Sequence, residues 1–439
     1  MTSDDVVQGI LARNPAVFAG DTAVHAMGWL DHPERYLGDW LDETAQTLPR
    51  RHDRTLLLGM GGSSSPARLY ADARPDSTLS VLDTSNPDTV AATDFAGANV
   101  IASSKSGGTI ETLSLLAHAL AHGLEAQDLV VITDPGTVLE RQGHELGATV
   151  VLGDPDTGGR FSSLSPFGLI PAMYAGWSVE ALRAELASSA LHHDLVVTAV
   201  NHADAFAQSV HDGHAYFALG ADPITSGGAL WLEQLVAETT GKDGRGFIPC
   251  LEGRAQEYRP SDMMYWHLVA ALLARHLGVD PFNQPDVEAA KKGVFAQLEG
   301  EVPWSERPLD LDVVHEALRE STYNVLQVYA PLSASDRLGE LRVRVEADFG
   351  ATTANLGPRY LHSTGQLHKG GPHGVVGVQI VQRPTSAPVV VDGQRYTFHD
   401  LHMAQALSDE RAMRAADRRV FSMIVDDLDE AARRLGLAS

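Results

Sequence analysis

The chain is nearly without cysteine, has no long apolar run and is short of positive charge. One of its 439 residues is a cysteine, Cys250, which excludes an internal disulfide and a cysteine-rich metal cluster and suits a reducing compartment, here expected to be the cytoplasm. A small buried residue is the ordinary reading of that cysteine, a catalytic thiol the alternative. No window approaches the roughly 18 apolar residues of a membrane-spanning helix. The opening MTSDDVVQGILARN lacks a basic segment followed by an apolar one, so no export signal is expected. Lys and Arg number 33 against 57 Asp and Glu, for a net charge of −24. Nucleic acid and anionic membrane surfaces are therefore poor partners, since both need clustered cations. A small anionic ligand is still allowed, because a pocket answers to the few charges and N–H dipoles that line it. The 19 histidines are scattered without an HExxH or comparable spacing, so neither a structural nor a catalytic metal is expected.

What the chain does have is 44% hydrophobic residues, enough for two or three cored domains, and two loops of serine and glycine. Residues 1–50 read as helices, with apolar spacing over 6–12 and Pro33 at the start of a pattern over 32–48. TLLLGMGGSSSP at 55–66 is a buried-type strand that ends in glycines and serines. Further strand-type runs at 79–82, 100–102, 130–133 and 149–152 alternate with helical stretches. Such alternation predicts a parallel sheet with helices on both faces and ligand sites at the carboxyl ends of its strands. The loops at 59–65 and 103–109 both stand at such ends, so one pocket can use both. In IASSKSGGTIET, residues 101–112, a strand, a polar turn and a helix start follow one another. Free N–H groups at the positive end of a helix dipole, the hydroxyls of Ser104, Ser106 and Thr109 and the charge of Lys105 suit a phosphate monoester. A plain capped helix is the alternative, because Ser or Thr followed by Glu also makes a capping box.

Farther along, GGRFSSLSPFG places Arg160 just after a glycine pair, on a loop from which it reaches a cleft or else stays solvated. A second α/β unit begins near 215, with a strand at 215–220, a helix at 227–238 and a strand at 247–251. Glu238 closes that helix, at the dipole end that disfavours a carboxylate's charge, which suits a general base; an exposed helix-end Glu is the alternative. An apolar helix spans 263–277, and a helix from about 286 sets Glu288 and Lys291 one turn apart. The remainder is expected to hold strands near 323–329, 341–346 and 375–381, and helices after 400 and over 411–435. The connection RYLHSTGQLHKGGPHG is unusually rich in His and Gly.

Five of these motifs stand in the order found in the phosphoglucose isomerases, a family built from two sugar-isomerase (SIS) domains. GMGGSSSP resembles the family's G-I-G-G-S. SKSGGTIET resembles its S-K-T-x-T-T-x-E-T through Lys105, Thr109 and Glu111. GGRFSSLSPFG is similar to G-G-R-F-S-x-x-S-x-x-G, ETTGK at 238–242 to E-S-N-G-K, and PFNQPDVEAAK at 281–291 to F-D-Q-x-x-V-E-x-x-K. The C-terminal region resembles the isomerase half of bacterial transaldolase/phosphoglucose isomerase fusions.

The resemblance implies an α/β fold of two doubly wound SIS-type parallel-sheet domains, each a three-layer α/β/α unit, with an additional C-terminal α/β region. The division it suggests is 1–50 helical, 51–190 first SIS domain, 191–300 second SIS domain and 301–439 C-terminal region. It further implies interconversion of glucose 6-phosphate and fructose 6-phosphate through an enediolate, with no metal or organic cofactor, in a homodimer. Ser104, Lys105, Ser106 and Thr109 would contact phosphate, with Gly62 and Ser63 nearby. Glu238 would be the base, Arg160 the cation that steadies the enediolate, and Gln284 and Lys291 the contacts near the ring oxygen. The family's G-T-N-G-Q-H, whose His helps open the ring, is missing between Glu238 and Gln284. STGQLH at 363–368 stands instead after Lys291, so His368 is the expected ring-opening residue, with His267 and His362 as the other candidates. Three readings remain beside this one: an isomerase that also accepts mannose 6-phosphate, a non-catalytic SIS sugar-phosphate sensor, and a transaldolase-like aldol enzyme.

Overall fold

A computed structural model describes residues 1–251, 258–286, 293–295, 297–298 and 309–437. Five strands, β1 (Thr55–Gly59), β2 (Leu79–Leu82), β3 (Asn99–Ser103), β4 (Leu129–Thr133) and β5 (Thr149–Leu152), form one sheet in the order β2-β1-β3-β4-β5, with every pairing parallel. Alternate residues feed opposite cores. Leu57, Ile101, Val130 and Ile132 enter one cluster, while Leu56, Leu58, Val100, Ala102, Leu129 and Val131 enter another. That double burial is why β1, β3 and β4 read as unbroken apolar runs. The first cluster also takes Val6, Ile10, Trp29 and Leu41, so the N-terminal helices Ser3–Leu11, His32–Leu37 and Trp40–Thr47 pack over the sheet.

The strand order reverses direction between β1 and β3. In an open parallel sheet the crevice at such a switch point, above the carboxyl ends, is where ligands sit. The two serine and glycine loops leave from the ends of β1 and β3.

Among the described residues, 191–300 contribute two strands, β6 (His214–Ala218) and β7 (Gly246–Cys250), paired in parallel. Between them runs the Gly227–Thr240 helix, every residue of which is buried. A helix covered on all sides is interior to its unit, and its polar side chains must find partners there. A second large parallel sheet lies later, formed by β8 (Tyr323–Tyr329), β9 (Thr352–Leu356), β10 (Val375–Gln382) and β11 (Arg419–Val425) in the order β11-β10-β8-β9. No described helix is long and apolar enough to cross a membrane.

Two local expectations are corrected. Residues 341–346, LRVRVE, alternate like a strand but lie inside the Ser335–Phe349 helix. Its buried residues Leu338, Leu341, Val345 and Phe349 follow helical spacing over the longer window, and Arg342 is buried with them by ion pairs to Asp222 and Glu346. The expected helix over 411–435 is a helix end, the strand β11 and the short Leu428–Arg434 helix. The chain turns at Asp417, φ 57°, and RVFSMIV then adds to the edge of β10. Its β-branched and aromatic residues suit a strand, and sheet pairing overrides the surrounding helical pattern.

Candidate functional site

The loop after β1 is held in a short 3-10 turn, Gly61–Ser63. Gly61 has φ +54°, and a Cβ there would collide with the carbonyl of His362; one on Gly62 would strike the backbone of Gly159. Only glycine at both positions lets the Arg160 loop and the His362 segment close over this turn. Ser63 Oγ accepts a hydrogen bond from Lys105 N at 3.2 Å, which ties this loop to the one after β3. There, Thr109 is the N-cap of the Ile110–Ala121 helix but makes no capping bond. Its hydroxyl lies instead 2.8 Å from Ser104 Oγ and 3.5 Å from Ser106 Oγ.

The loops open onto a cleft of about 300 Å³. Gly62, Ser63, Lys105, Ser106 and Thr109 line it together with Arg160, Glu238 and Gln284. Ser104 is buried just behind the loop face. Lys291 lies outside the described residues.

Glu238 comes from the last turn of the Gly227–Thr240 helix and is buried. Gln234, one helical turn earlier, donates from Nε2 to Glu238 Oε2 at 3.1 Å and to the His362 carbonyl at 3.0 Å. Ser65 Oγ donates to the Gln234 side-chain oxygen at 2.7 Å, so the amide is locked and the carboxylate aimed. Arg160 is also buried. Its Nη1 donates to the carbonyls of Glu238 and Pro281, both at 3.1 Å, and its Nη2 to that of Asn283 at 3.1 Å. Among the described residues its Nε finds no hydrogen-bond acceptor, and it stands 3.4 Å from Glu238 Oε2. Burial lowers the pKa of this guanidinium, opposed by the nearby Glu238 carboxylate. Arginine's very high intrinsic pKa keeps it cationic there. A cation with a donor to spare, beside a carboxylate, faces the cleft.

Lys105 is less free than its motif suggests. Its ammonium donates to Asp134 Oδ2 at 2.5 Å and to the Asp154 carbonyl at 2.6 Å. Burial raises the pKa of Asp134, and the lysine opposes that shift.

The three candidate histidines separate clearly. His362 lines the cleft, with Nε2 2.8 Å from Glu111 Oε1, and Gln405 Nε2 donates to that same oxygen at 2.6 Å. His368, the residue expected from STGQLH, does not line it. It projects from the Gly365–Gly370 helix into the interior against Tyr360, with only Thr353 Oγ1 near its Nε2 at 3.5 Å. Burial, then the charges of Lys369 and Arg418, hold it well below the usual imidazole range. His267 is equally interior, paired with Ser163 Oγ at 3.0 Å and pushed down to about 3 by burial. The six-residue spacing from His362 to His368 turns the two rings to different surroundings, and only the first reaches the cleft.

Gln234 and Asp134 are the lining residues that motif reading passed over. Gln234 was findable as the residue one turn before Glu238 on the same helix face. Asp134 follows the carboxyl end of β4, the same rule that marks the two loops.

No protein-family profile matches the chain. It is 36% identical over 211 residues to a glucose-6-phosphate isomerase of Rubrobacter xylanophilus, covering 44% of this chain and 46% of that one. Against a glucose-6-phosphate isomerase of Thermus thermophilus it is 34% identical over 187 residues, covering 36% and 41%. A crystal structure of a glucose-6-phosphate isomerase from Chlamydia trachomatis overlays with a TM-score of 0.48 at 16% identity, over 67% of this chain and 79% of that one. The chain spans about half the length of the curated relatives it matches. Over about half of its own length the chain is similar in sequence to the glucose-6-phosphate isomerases.

Proposed function

We propose that this chain interconverts glucose 6-phosphate and fructose 6-phosphate through an enediolate, with Glu238 as the base. The observation that carries the reading is the meeting, in one cleft at the sheet's switch point, of a hydroxyl-lined helix N-terminus, a buried carboxylate and a buried guanidinium. The phosphate monoester rests on the Ser104–Thr109 loop, where backbone N–H groups and hydroxyls accept its charge. Lys105, held by Asp134, supplies positive potential from behind and keeps the loop rigid.

Binding at that end points the sugar carbons toward Glu238. In the open-chain aldose, Glu238 takes the proton from C2; the electron pair left behind forms the C1–C2 double bond and the carbonyl electrons move onto O1. Arg160, beside Glu238 with an unused Nε–H, stabilises that oxyanion where the charge develops. A proton passes from O2 to O1, which moves the charge to O2; the O2 electrons then form the C2 carbonyl while the C1–C2 double-bond pair takes the proton back from Glu238 at C1, which completes the ketose. The Gln234 bond fixes one carboxylate oxygen and leaves the other for the carbon acid. His362, oriented by Glu111, is the acid and base for ring opening, in place of His368. A homodimer is the assembly proposed with this activity.

The test is a coupled assay on glucose 6-phosphate, with mannose 6-phosphate as a parallel arm. Turnover of the first with little of the second is the expected result. Turnover of neither, in protein that still binds an inorganic phosphate probe, overturns the isomerase reading in favour of a sensor. Comparable turnover of both would widen the substrate class.

A further inference from the structure

Among the described residues that line the cleft, the charges cancel. Besides His362, the ionisable groups there are the cations Lys105 and Arg160 and the carboxylates Asp134 and Glu238. Arg160 stands beside Glu238, and Lys105 beside Asp134 with 2.5 Å between Nζ and Oδ2. A phosphate monoester brings about 1.5 to 2 negative charges at pH 7. These residues meet it with no surplus of positive charge, so hydroxyls and backbone N–H groups do the holding.

The pairing of the lysine is built by the sheet. Lys105 stands two residues past the end of β3 and Asp134 one past the end of β4, and the two strands are parallel neighbours. Asp134 N donates to the Lys105 carbonyl at 3.2 Å, so the residues are joined by backbone as well as by side chain. The ammonium also donates to the Asp154 carbonyl at 2.6 Å, but that oxygen carries no net charge. The Asp154 carboxylate is taken up elsewhere, by Arg35 at 2.7 Å and His32 at 3.1 Å. Asp134 Oδ1 has no hydrogen-bond partner among the described residues. The carboxylate's ion pair is therefore with Lys105, and an ammonium so close favours its ionised form.

We propose that Asp134 sets the affinity of the cleft for phosphate: as an internal counter-ion to Lys105, it holds phosphate binding below what the loop reaches without it. The inference deepens the isomerase reading and rests on the phosphate site of that reading. Substrate and product of an aldose–ketose isomerisation carry the same phosphate. A tighter grip on it stabilises substrate, transition state and product alike, which lowers KM without speeding the chemical step. It also delays departure of the product. A carboxylate beside the loop lysine limits that uniform binding and leaves the Ser104–Thr109 donors to orient the ligand. Asp134 acts through the lysine and is a positioning residue.

The experiment measures inorganic phosphate binding by calorimetry and steady-state kinetics on glucose 6-phosphate, with thermal unfolding to confirm that each variant is folded. D134N keeps the side-chain shape and removes the charge. It should bind phosphate on the order of tenfold tighter and lower KM by a similar factor, with no gain in kcat. Added salt should shrink that difference, which a purely structural role would not produce. K105M strands the carboxylate beside the anion and should weaken binding by at least as much as D134N strengthens it. The K105M/D134N double variant restores the charge balance and should return close to wild type. Unchanged or weaker phosphate binding by D134N overturns the inference while leaving the isomerase reading intact, and so does a double variant as weak as K105M. The predicted pattern in protein without isomerase turnover keeps the role of Asp134 and strikes the isomerase reading. Phosphate bound by neither wild type nor D134N overturns both.

Discussion

The two large parallel sheets are built alike and used differently. In the β1–β5 sheet both faces are apolar, and chemistry is confined to the loops that leave the strand ends. In the β8–β11 sheet Leu326, Val328, Val378 and Ile380 fill one core, but the strands also carry buried Gln327 and Gln379, bonded to Asp409 and the Ala406 carbonyl of the Phe398–Ala415 helix. Asp409 in turn pairs with Lys369 at 2.6 Å and accepts from Tyr360 Oη at 2.9 Å. Between the sheets, Asp83 accepts from both Arg68 and Arg359. The lesson is a division of labour: the first sheet's loops offer backbone and hydroxyl donors together with Lys105 and Arg160 to the cleft, and the second sheet, held by buried networks, brings up His362. Such networks are expensive to break from one side, because the partner left behind is a buried, uncompensated charge.

The largest expected effect belongs to the helix that stands outside both sheets and carries Glu238. E238Q should lower kcat by about a thousandfold, the usual scale for a removed general base, with little change in affinity for a phosphate-bearing inhibitor. Steady-state kinetics and inhibitor binding check this, and near-normal turnover would end the assignment. H362N should cost about a hundredfold on ring-closed substrate, with H368N far milder in the same assay. The reverse ranking would restore the histidine of STGQLH.

The contact between the sheets comes next. D83N leaves Arg359 buried without its carboxylate and should destabilise the fold by about 3 kcal/mol or more in urea unfolding. A loss near zero would mean that the sheets do not depend on this link. Burial by itself would raise the pKa of Asp83, but Arg359 and then Arg68 outweigh it and bring the carboxyl down to about 2. Its folded pKa is depressed, so its contribution is present above the ordinary 3.8 and is lost as pH falls toward about 2.

The smallest effect runs in the opposite direction with pH. Glu233 is buried on the same helix as Glu238 and accepts from Asn355 Nδ2 at 3.1 Å; burial pushes its pKa up to about 8. With the folded pKa raised, stability is greatest below the ordinary 4.5 and declines as pH climbs toward about 8. E233Q should flatten that decline while changing stability little at pH 5, as read from urea midpoints across the range. An unchanged slope would show that Glu233 is ionised in the fold.

Much of the first sheet was legible because its signals are local. The runs of β1, β3 and β4 and the glycines and serines at their ends lie within a dozen residues of one another, and such short-range order survives in any context. LRVRVE and RVFSMIV show where that stops. Both suit a strand by composition, and only the second became one, because β10 offers it an edge while the first has a helical core face to bury. Glu238 and Arg160 were found as motif residues, yet the motif says nothing of the carbonyls that fix Arg160 or of the Gln234 amide that aims Glu238.

The chain's own order of residues was enough to read its parallel α/β class and to put two serine and glycine loops at the carboxyl ends of strands, since each depends on neighbours along the backbone; Glu238 and Arg160 were singled out by their likeness to family motifs. Packing in three dimensions decided which of the three candidate histidines lines the cleft. His362 and Glu111 are 251 residues apart, and no spacing rule connects them. They meet because Gly61 admits the His362 backbone to the first loop and because Gln405 holds the carboxylate from a third direction.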